Sequence, residues 1–395
     1  MTRVTMDAMK LLYGLPLLVL PLLAVSAYPR VVATQANEVS GLTLSGEFLI
    51  APGARFAAIA PSRFGAISGL ATLPGGCELL AISDDDVDSR FYRLRVSRTA
   101  QRLQVTPVQY IPLQRASGAP ASLDPEGIAL TRTGTVLISA EGAADVQPRL
   151  PPAILEYAQD GRFIRQLRVP PQFVPNEGGP QTKGARNNGG FESLTVTPDF
   201  DRLFTANEIP LVQDGPADAY AKAQRVRILE YANERDGYRP VREFVYELSP
   251  LDRPSSGAGF SVNGVSELLA VNGTELFALE RGFIQAAGSR IGINRIRLFR
   301  IWLDGATDVS SFDSLAGRDD VKPVRKTLVQ DFSRLSGLSL RLLNLENFEG
   351  LAWVGPANGE HRSLLAVSDD NFNPLQVTAF LLLELDPPQR APVCP

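Results

Sequence analysis

The feature that most constrains this chain is a short phrase that occurs five times. Each copy opens with an acidic or hydroxyl residue before a small apolar strand, and a second apolar strand then ends in one or more carboxylates. The copies cover residues 68–86, 126–141, 192–208, 267–281 and 349–371. Repetition of this kind is typical of propellers and solenoids, in which each unit buries its faces against its neighbours. The phrase therefore predicts a repeat fold.

Each repeat continues into further strands in which β-branched and aromatic residues alternate. A third strand is predicted in every copy and a fourth in all but the last, which reaches the chain end first. Residues 42–50 have the pattern of a strand with no partners of its own. We predict an all-β propeller of five blades closed by this N-terminal strand. Six blades are the alternative, because the repeat period varies from 58 to 82 residues.

The N-terminal segment has the features of a signal peptide. Arg3 and Lys10 precede an apolar run that ends in small residues, so we predict cleavage after Ala27 and export to the periplasm or the extracellular space. An uncleaved anchor is the alternative, but Pro16 and Pro21 interrupt a run that is already short for a membrane span. Residues 28–395 are then a single propeller domain without a membrane span. The formal net charge of −4 does not indicate nucleic-acid binding.

The recurring acids are expected at one end of the propeller. In an antiparallel blade, the start of the first strand and the end of the second lie at the same end, together with the longer loops. Glu141 and the other acids there form a ring of like charge, which requires protons or a cation. Ca²⁺ or another hard divalent cation binds such oxygen ligands. The predicted metal ligands are Asp84, Asp85, Glu126, Glu208, Glu267, Glu280, Asp369 and Asp370. For any single repeat, an acid that only caps backbone amides between blades is equally favoured.

Basic residues are expected at the same end. Arg186 and Asn187 lie in a glycine-rich loop before Glu192, and Arg281 directly follows Glu280. An arginine fork suits pairs of phosphate or carboxylate oxygens, and glycines let backbone amides approach them. We predict that Arg186, Asn187 and Arg281 bind a substrate phosphate. The alternative is that an arginine beside an acid is only its ion-pair partner.

The chain has one histidine, His361, and we expect it at the end opposite the acids. This argues against phosphohistidine chemistry, Ser-His-Asp triads and histidine-ligated zinc or iron. The chain also lacks a nucleophile elbow, a Walker loop and a cysteine pair with metal-ligand spacing. Any hydrolysis would therefore depend on a metal ion and carboxylates.

The two cysteines, Cys77 and Cys394, are both expected at the end opposite the acids. In an exported chain such a pair is compatible with one disulfide, which would join the first blade to the last. We predict this bond, with two free thiols as the alternative.

Several motifs together resemble the phytase-like esterase family. They lie at residues 188–195, 265–269, 279–282, 347–352 and 368–373, within a resemblance that covers roughly residues 60–386. It implies an exported phosphoesterase-like protein of bacterial type. Ser68 departs from the pattern, since the later repeats have glutamate at this position.

Three functions are consistent with these features. The first is a metal-assisted phosphoesterase that acts on a phosphomonoester or phosphodiester such as an inositol phosphate, with Glu192 and Glu349 as catalytic carboxylates. The second is a non-catalytic propeller that is stabilised by Ca²⁺ and binds a glycan, a peptide or a protein. The third is a lactonase or carboxylesterase that uses the same metal. The oligomeric state is left open.

Overall fold

The computed structural model describes residues 41–385 and Cys394, except residues 100, 101, 120, 223, 255, 256, 290, 340, 341, 343, 344 and 356–362. The predicted signal peptide and His361 therefore lie outside the described residues. No helix in the described part is long and apolar enough to span a membrane.

The described part consists mainly of β-strands. In chain order they are β1 (Leu42–Ile50), β2 (Ile67–Thr72), β3 (Glu78–Ser83), β4 (Arg90–Thr99), β5 (Arg102–Pro112), β6 (Pro125–Leu130), β7 (Val136–Ala140), β8 (Ala153–Tyr157), β9 (Phe163–Gln166), β10 (Thr195–Val196), β11 (Arg202–Ala206), β12 (Gln224–Glu234), β13 (Gly237–Leu248), β14 (Ala258–Ala270), β15 (Glu275–Ala286), β16 (Gly292–Trp302), β17 (Arg325–Asp331), β18 (Asn347–Val354), β19 (Ser363–Asp369) and β20 (Thr378–Leu385). Short 3₁₀ helices cover Ala57–Ile59, Pro171–Phe173, Val212–Asp214 and Phe332–Arg334.

These strands form five antiparallel sheets of four strands each, which are the blades of a propeller. Blades 1 to 4 contain β2–β5, β6–β9, β10–β13 and β14–β17, and blade 5 contains β18–β20 followed by β1. The first strands of successive blades contact one another around the ring, and β18 returns to β2. The structure confirms the prediction of an all-β propeller with five blades rather than six.

The ring is closed by strand exchange between the two chain ends. Strand β1 pairs antiparallel with β20, from Leu42 opposite Leu385 to Ile50 opposite Thr378. A disulfide joins Cys77, in the turn between β2 and β3, to Cys394, with the two Cα atoms 5.3 Å apart. The backbone N–H of Arg98 also donates to the Cys394 carbonyl at 2.9 Å. Blade 1 is thus tied to the segment that follows blade 5, at the end opposite the acids.

An apolar cluster fills each gap between neighbouring blades. Phe380 of blade 5 and Tyr92 of blade 1, for example, share one cluster. Strands near the ring axis are buried on both faces, so β19 is buried at every residue, whereas the outer strand β9 is mostly exposed. This burial on both faces explains why the inner strands have nearly continuous apolar sequences.

Candidate functional site

All five blades have the same irregularity where the first and second strands meet at the acid end. In blade 1, Ile67 is opposite Ser83, and the register then shifts by one residue. Equivalent shifts follow Pro125 in blade 2, Phe191 in blade 3, Val265 in blade 4 and Phe348 in blade 5. A bulge of this kind re-aims the extra side chain and is common beside functional sites.

The bulge defines three equivalent positions in every blade. In the first strand, the residue after the last regular pair is Ser68, Glu126, Glu192, Ser266 or Glu349. In the second strand, the residue beyond that pair is Asp84, Glu141, Glu208, Arg281 or Asp369. The residues opposite this second set are Ala66, Asp124, Gly190, Gly264 and Asn347.

 

In blade 4 the recurring acids fall one residue away from these positions. Ser266 and Arg281 occupy them, so Glu267 and Glu280 are the neighbours of the equivalent residues. Because side chains alternate between the two faces of a strand, a displacement of one residue turns each side chain to the other face. Blade 4 therefore contributes a guanidinium where the other blades contribute carboxylates.

The acids at the three positions form one group, which we call the mouth carboxylates. They are Asp84, Asp124, Glu126, Glu141, Glu192, Glu208, Glu349 and Asp369. Oxygens of Asp84, Asp124 and Glu126 all lie within 4.8 Å of one another, and so do oxygens of Glu126, Glu141 and Glu192. Glu126 belongs to both sets and is only 7% exposed. The structure thus concentrates carboxylates from blades 1, 2 and 3 around Glu126.

Arg281 is the cation that contacts the other side of the group. Its Nη2 lies 2.7 Å from Glu208 Oε1 and 3.6 Å from Glu192 Oε1, and its Nε lies 3.2 Å from Glu349 Oε1. Its Nη1 donates to Asn347 Oδ1 at 3.4 Å. Within the described residues, neither Glu126 nor Glu141 has an ion-pair partner of this kind.

Burial and repulsion by nearby acids raise the pKa values of Glu126, Glu141 and Glu349 among the mouth carboxylates. For Glu126, burial has the largest effect, followed by the charges of Asp84 and Glu192. The pKa of Glu141 is raised in the same way by burial and by nearby acids. Burial also raises the pKa of Glu349, but Arg281 opposes the change and the value is about 6. The ionised group is therefore unfavourable unless protons or a cation neutralise it.

The structure brings six of the predicted site residues into this group. They are Glu192 and Glu349, which were predicted as catalytic, and Asp84, Glu126, Glu208 and Asp369, which were predicted as metal ligands. It adds Asp124 and Glu141, which were not among the predicted ligands. Asp124 stands two residues before Glu126, and residues with this spacing in a strand share one face. That spacing could have identified Asp124 from the sequence.

The structure does not bring Glu280 or Glu267 into the group. Glu280 Oε1 accepts from Lys326 Nζ at 2.6 Å and from the Tyr246 hydroxyl at 2.8 Å, between blades 3 and 4. Glu267 accepts from the backbone N–H groups of Leu268 at 3.0 Å and Leu194 at 3.4 Å. Both are predicted ligands that instead have structural partners, because of the register of blade 4.

Asp85 and Asp370 also have partners of their own. Asp85 Oδ2 lies 2.7 Å from Arg90 Nη1, and its Oδ1 accepts from two backbone N–H groups of the following turn. Asp370 Oδ1 accepts from the N–H of Ala66 at 2.8 Å, which joins blade 5 to blade 1. For these residues, the capping interpretation describes the contacts better than the metal-ligand prediction.

The three residues predicted to bind phosphate have different contacts in the structure. Arg186 Nε and Nη2 donate to the carbonyls of Pro210 and Gly215, and burial lowers the pKa of this arginine. Asn187 Oδ1 accepts from the N–H of Ala144 at 3.1 Å and thereby holds the neighbouring loop. Arg281 is occupied by the mouth carboxylates. Arg186 therefore remains the candidate for an anion, since no acid pairs with it in the described part of the chain.

This chain has relatives among known proteins. The model of a family described as phytase-like, esterase-like activity of phytase, matches residues 62–372. An uncharacterized secreted protein of Arthroderma benhamiae is 26% identical over 162 residues, and the match covers 35% of this chain and 30% of that protein. The chain thus matches less than a third of the length of this relative.

Two solved structures illustrate the structural similarity. The catalytic domain of an α-L-arabinofuranosidase of Coprinopsis cinerea has a TM-score of 0.40 and 12% identity, and the alignment covers 90% of this chain and 98% of that chain. A gluconolactonase of Xanthomonas campestris has a TM-score of 0.30 and 9% identity, with 87% of this chain and 98% of that chain covered.

Proposed function

This chain belongs to the phytase-like family, and we propose that it is an exported, metal-dependent phosphoesterase whose active site is the acidic mouth of the propeller. The observation that carries the proposal is Glu126, a buried carboxylate whose oxygens lie within 4.8 Å of those of two separate acid pairs. Within the described residues, no hydrogen-bond donor or cation contacts it. A site of this composition suits a divalent cation.

The donor set is compatible with Ca²⁺. Oxygen ligands lie about 2.3–2.6 Å from this ion, so two ligands of one ion are at most about 5 Å apart. The separations of up to 4.8 Å in the two sets satisfy this limit. We propose that Asp84, Asp124, Glu126, Glu141 and Glu192 hold the cation. When bound, the cation would polarise phosphate oxygens and lower the pKa of a coordinated water.

Glu349 is the carboxylate best suited to hold and move a proton. It belongs to neither of the two close sets, and Arg281 Nε lies 3.2 Å from its Oε1. Its pKa of about 6 allows both protonation states near neutral pH, which a general acid or base requires. Glu192 lies between the acids around Glu126 and Arg281, because it belongs to a close set with Glu126 and its Oε1 is also 3.6 Å from Arg281 Nη2. Arg186 is the proposed contact for the substrate anion.

A non-catalytic propeller is the second candidate function. It is favoured by Glu267 and Asp370, which resemble mouth acids in sequence but bind backbone N–H groups. If the mouth carboxylates only bind a structural Ca²⁺, metal would raise the melting temperature without supporting turnover.

Activity measurements on purified protein distinguish the two candidates. We expect hydrolysis of phytate or of bis-p-nitrophenyl phosphate with Ca²⁺, Mg²⁺ or Mn²⁺, and little activity after treatment with a chelator. Glu349→Gln should reduce kcat about 100-fold or more without lowering the melting temperature, which is the effect of removing a general acid or base. Glu275→Gln is a suitable control, because Glu275 pairs with Arg300 at the opposite end.

Protein that binds a divalent cation but hydrolyses neither substrate with any of the three metals would favour the non-catalytic candidate. Lactones tested in parallel would reveal a lactonase that uses the same site.

A further inference from the structure

Arg281 occupies a position that is acidic in the other four blades. It lies opposite Gly264, as Asp84, Glu141, Glu208 and Asp369 lie opposite the equivalent residues of their blades. The side chain enters the same space as those carboxylates and brings a positive charge. Blade 4 therefore differs from the other blades in the charge at this repeated position, while its strand pairing there is the same.

The guanidinium of Arg281 has the surroundings of a bound cation. Glu208, Glu192 and Glu349 come from the two flanking blades, and their oxygens lie 2.7, 3.6 and 3.2 Å from its nitrogens. The side chain is only 9% exposed. Burial by itself would lower its pKa, but the three carboxylates outweigh this effect and raise it. The arginine thus remains charged and neutralises the acids of blades 3 and 5.

Glu126 has no equivalent of this arginine among the described residues. Glu126 is 7% exposed and points at four other carboxylates. In the described part of the chain it accepts no hydrogen bond and forms no ion pair. A carboxylate this buried is costly when ionised without a partner, so protons or an external cation must neutralise the charge here, whereas Arg281 does so on the other side.

We infer that Arg281 takes the place of a metal ion, so that the mouth is divided into a metal side formed by blades 1 to 3 and an arginine side formed by blades 3 to 5. This inference rests on the proposed function, because it assumes that the mouth binds a divalent cation. It assigns Glu208 to Arg281 rather than to the metal. It also predicts that removal of the guanidinium creates an additional cation site among Glu192, Glu208 and Glu349.

Calcium binding to the full-length mature protein tests the inference without an activity measurement. Equilibrium dialysis or calorimetry with Ca²⁺ alone should show one more ion per chain in Arg281→Gln than in the wild type. Arg186→Gln is the matched control. Arg186 is also partly buried but, unlike Arg281, has no acidic partner in the described residues. The number of Ca²⁺ ions bound by Arg186→Gln should equal that of the wild type. An unchanged stoichiometry in folded Arg281→Gln overturns the inference.

A second pair of variants keeps Arg281 and covers the case in which Arg281→Gln does not fold. Glu126→Gln should weaken Ca²⁺ binding about 10-fold or more, as expected for the loss of a metal contact. Glu208→Gln should leave the affinity within about threefold of the wild type. Equal losses in the two variants overturn the division of the mouth. A wild-type protein that binds no divalent cation contradicts the proposed function itself, which is a different result.

Discussion

Glu126 and Glu280 come from the same recurring phrase, and both are buried, but their surroundings are opposite. Glu280 lies between blades 3 and 4, where Lys326 Nζ and the Tyr246 hydroxyl donate to it and Arg297 Nη2 lies 3.2 Å from Oε2. Glu126 lies at the mouth among other carboxylates. Burial is therefore not what distinguishes a structural acid from a site acid. The distinction is the charge of the neighbours.

The difference originates in the strand register of blade 4. Val265 is opposite Glu280, so Glu280 takes the place that Ser83 has in blade 1 and Ser368 has in blade 5. At that place a side chain faces the interior between blades rather than the mouth. The cations and hydroxyls that surround Glu280 match this location, and Arg281 takes the place at the mouth.

The largest expected effect is on unfolding in the presence of a chelator. Glu280→Gln leaves Lys326 and Arg297 without their shared acid, so we expect a loss of about 3 kcal/mol or more in the free energy of unfolding. Glu126→Gln removes a charge that has only like charges beside it, so stability should stay the same or rise. Urea denaturation of both variants and the wild type measures these changes.

Added Ca²⁺ should stabilise Glu280→Gln more than Glu126→Gln. It should stabilise the wild type and Glu280→Gln by similar amounts, and Glu126→Gln much less. A loss of stability in chelator-treated Glu126→Gln as large as that in Glu280→Gln would mean that Glu126 has a structural partner, and the comparison would fail.

The sequence was sufficient for the fold but only partly for the site. The recurring phrase predicted the five blades, and a strand pattern without partners predicted the exchange of residues 42–50, because inner strands that are buried on both faces have nearly continuous apolar sequences. Four of the eight predicted metal ligands lie at the mouth. The other four could not be separated from them, since a bulge displaces side chains by one residue and leaves no mark in the spacing of acids. Arg281 was predicted to bind a substrate phosphate, and in the structure its guanidinium contacts Glu192, Glu208 and Glu349.

The second prediction concerns the pH dependence of the metal-free protein. Glu126, Glu141 and Glu349 have raised pKa values in the folded chain, so the folded chain binds more protons than the unfolded chain, and stability falls as pH rises through the range in which these groups titrate. For Glu349, whose pKa rises from 4.5 to about 6, the loss is on the order of 2 kcal/mol between pH 4.5 and pH 7.

Melting curves with chelator and with Ca²⁺ across this pH range test the sign. With Ca²⁺ the decline should be smaller, because metal binding strengthens as the ligands lose their protons. Glu349→Gln should remove its own part of the decline in the metal-free protein. Stability that rises with pH in the presence of chelator would show that the mouth carboxylates are already neutralised by groups of the chain.

The smallest expected effect is at Asp85, which directly follows the mouth residue Asp84. Burial would raise the pKa of Asp85, but the bond from Arg90 and two backbone N–H groups outweigh burial and lower it. Its contribution to stability is thus present above the unfolded pKa and is lost as pH falls through the lower folded value, which is opposite to the mouth carboxylates. Asp85→Asn should cost about 1 kcal/mol at pH 7, because the amide keeps one acceptor and Arg90 keeps its contact with the Asp88 carbonyl. The same cost is expected with Ca²⁺ and with chelator, whereas a cost that appears only with Ca²⁺ would place Asp85 among the metal ligands and move the boundary between structural and site acids by one residue.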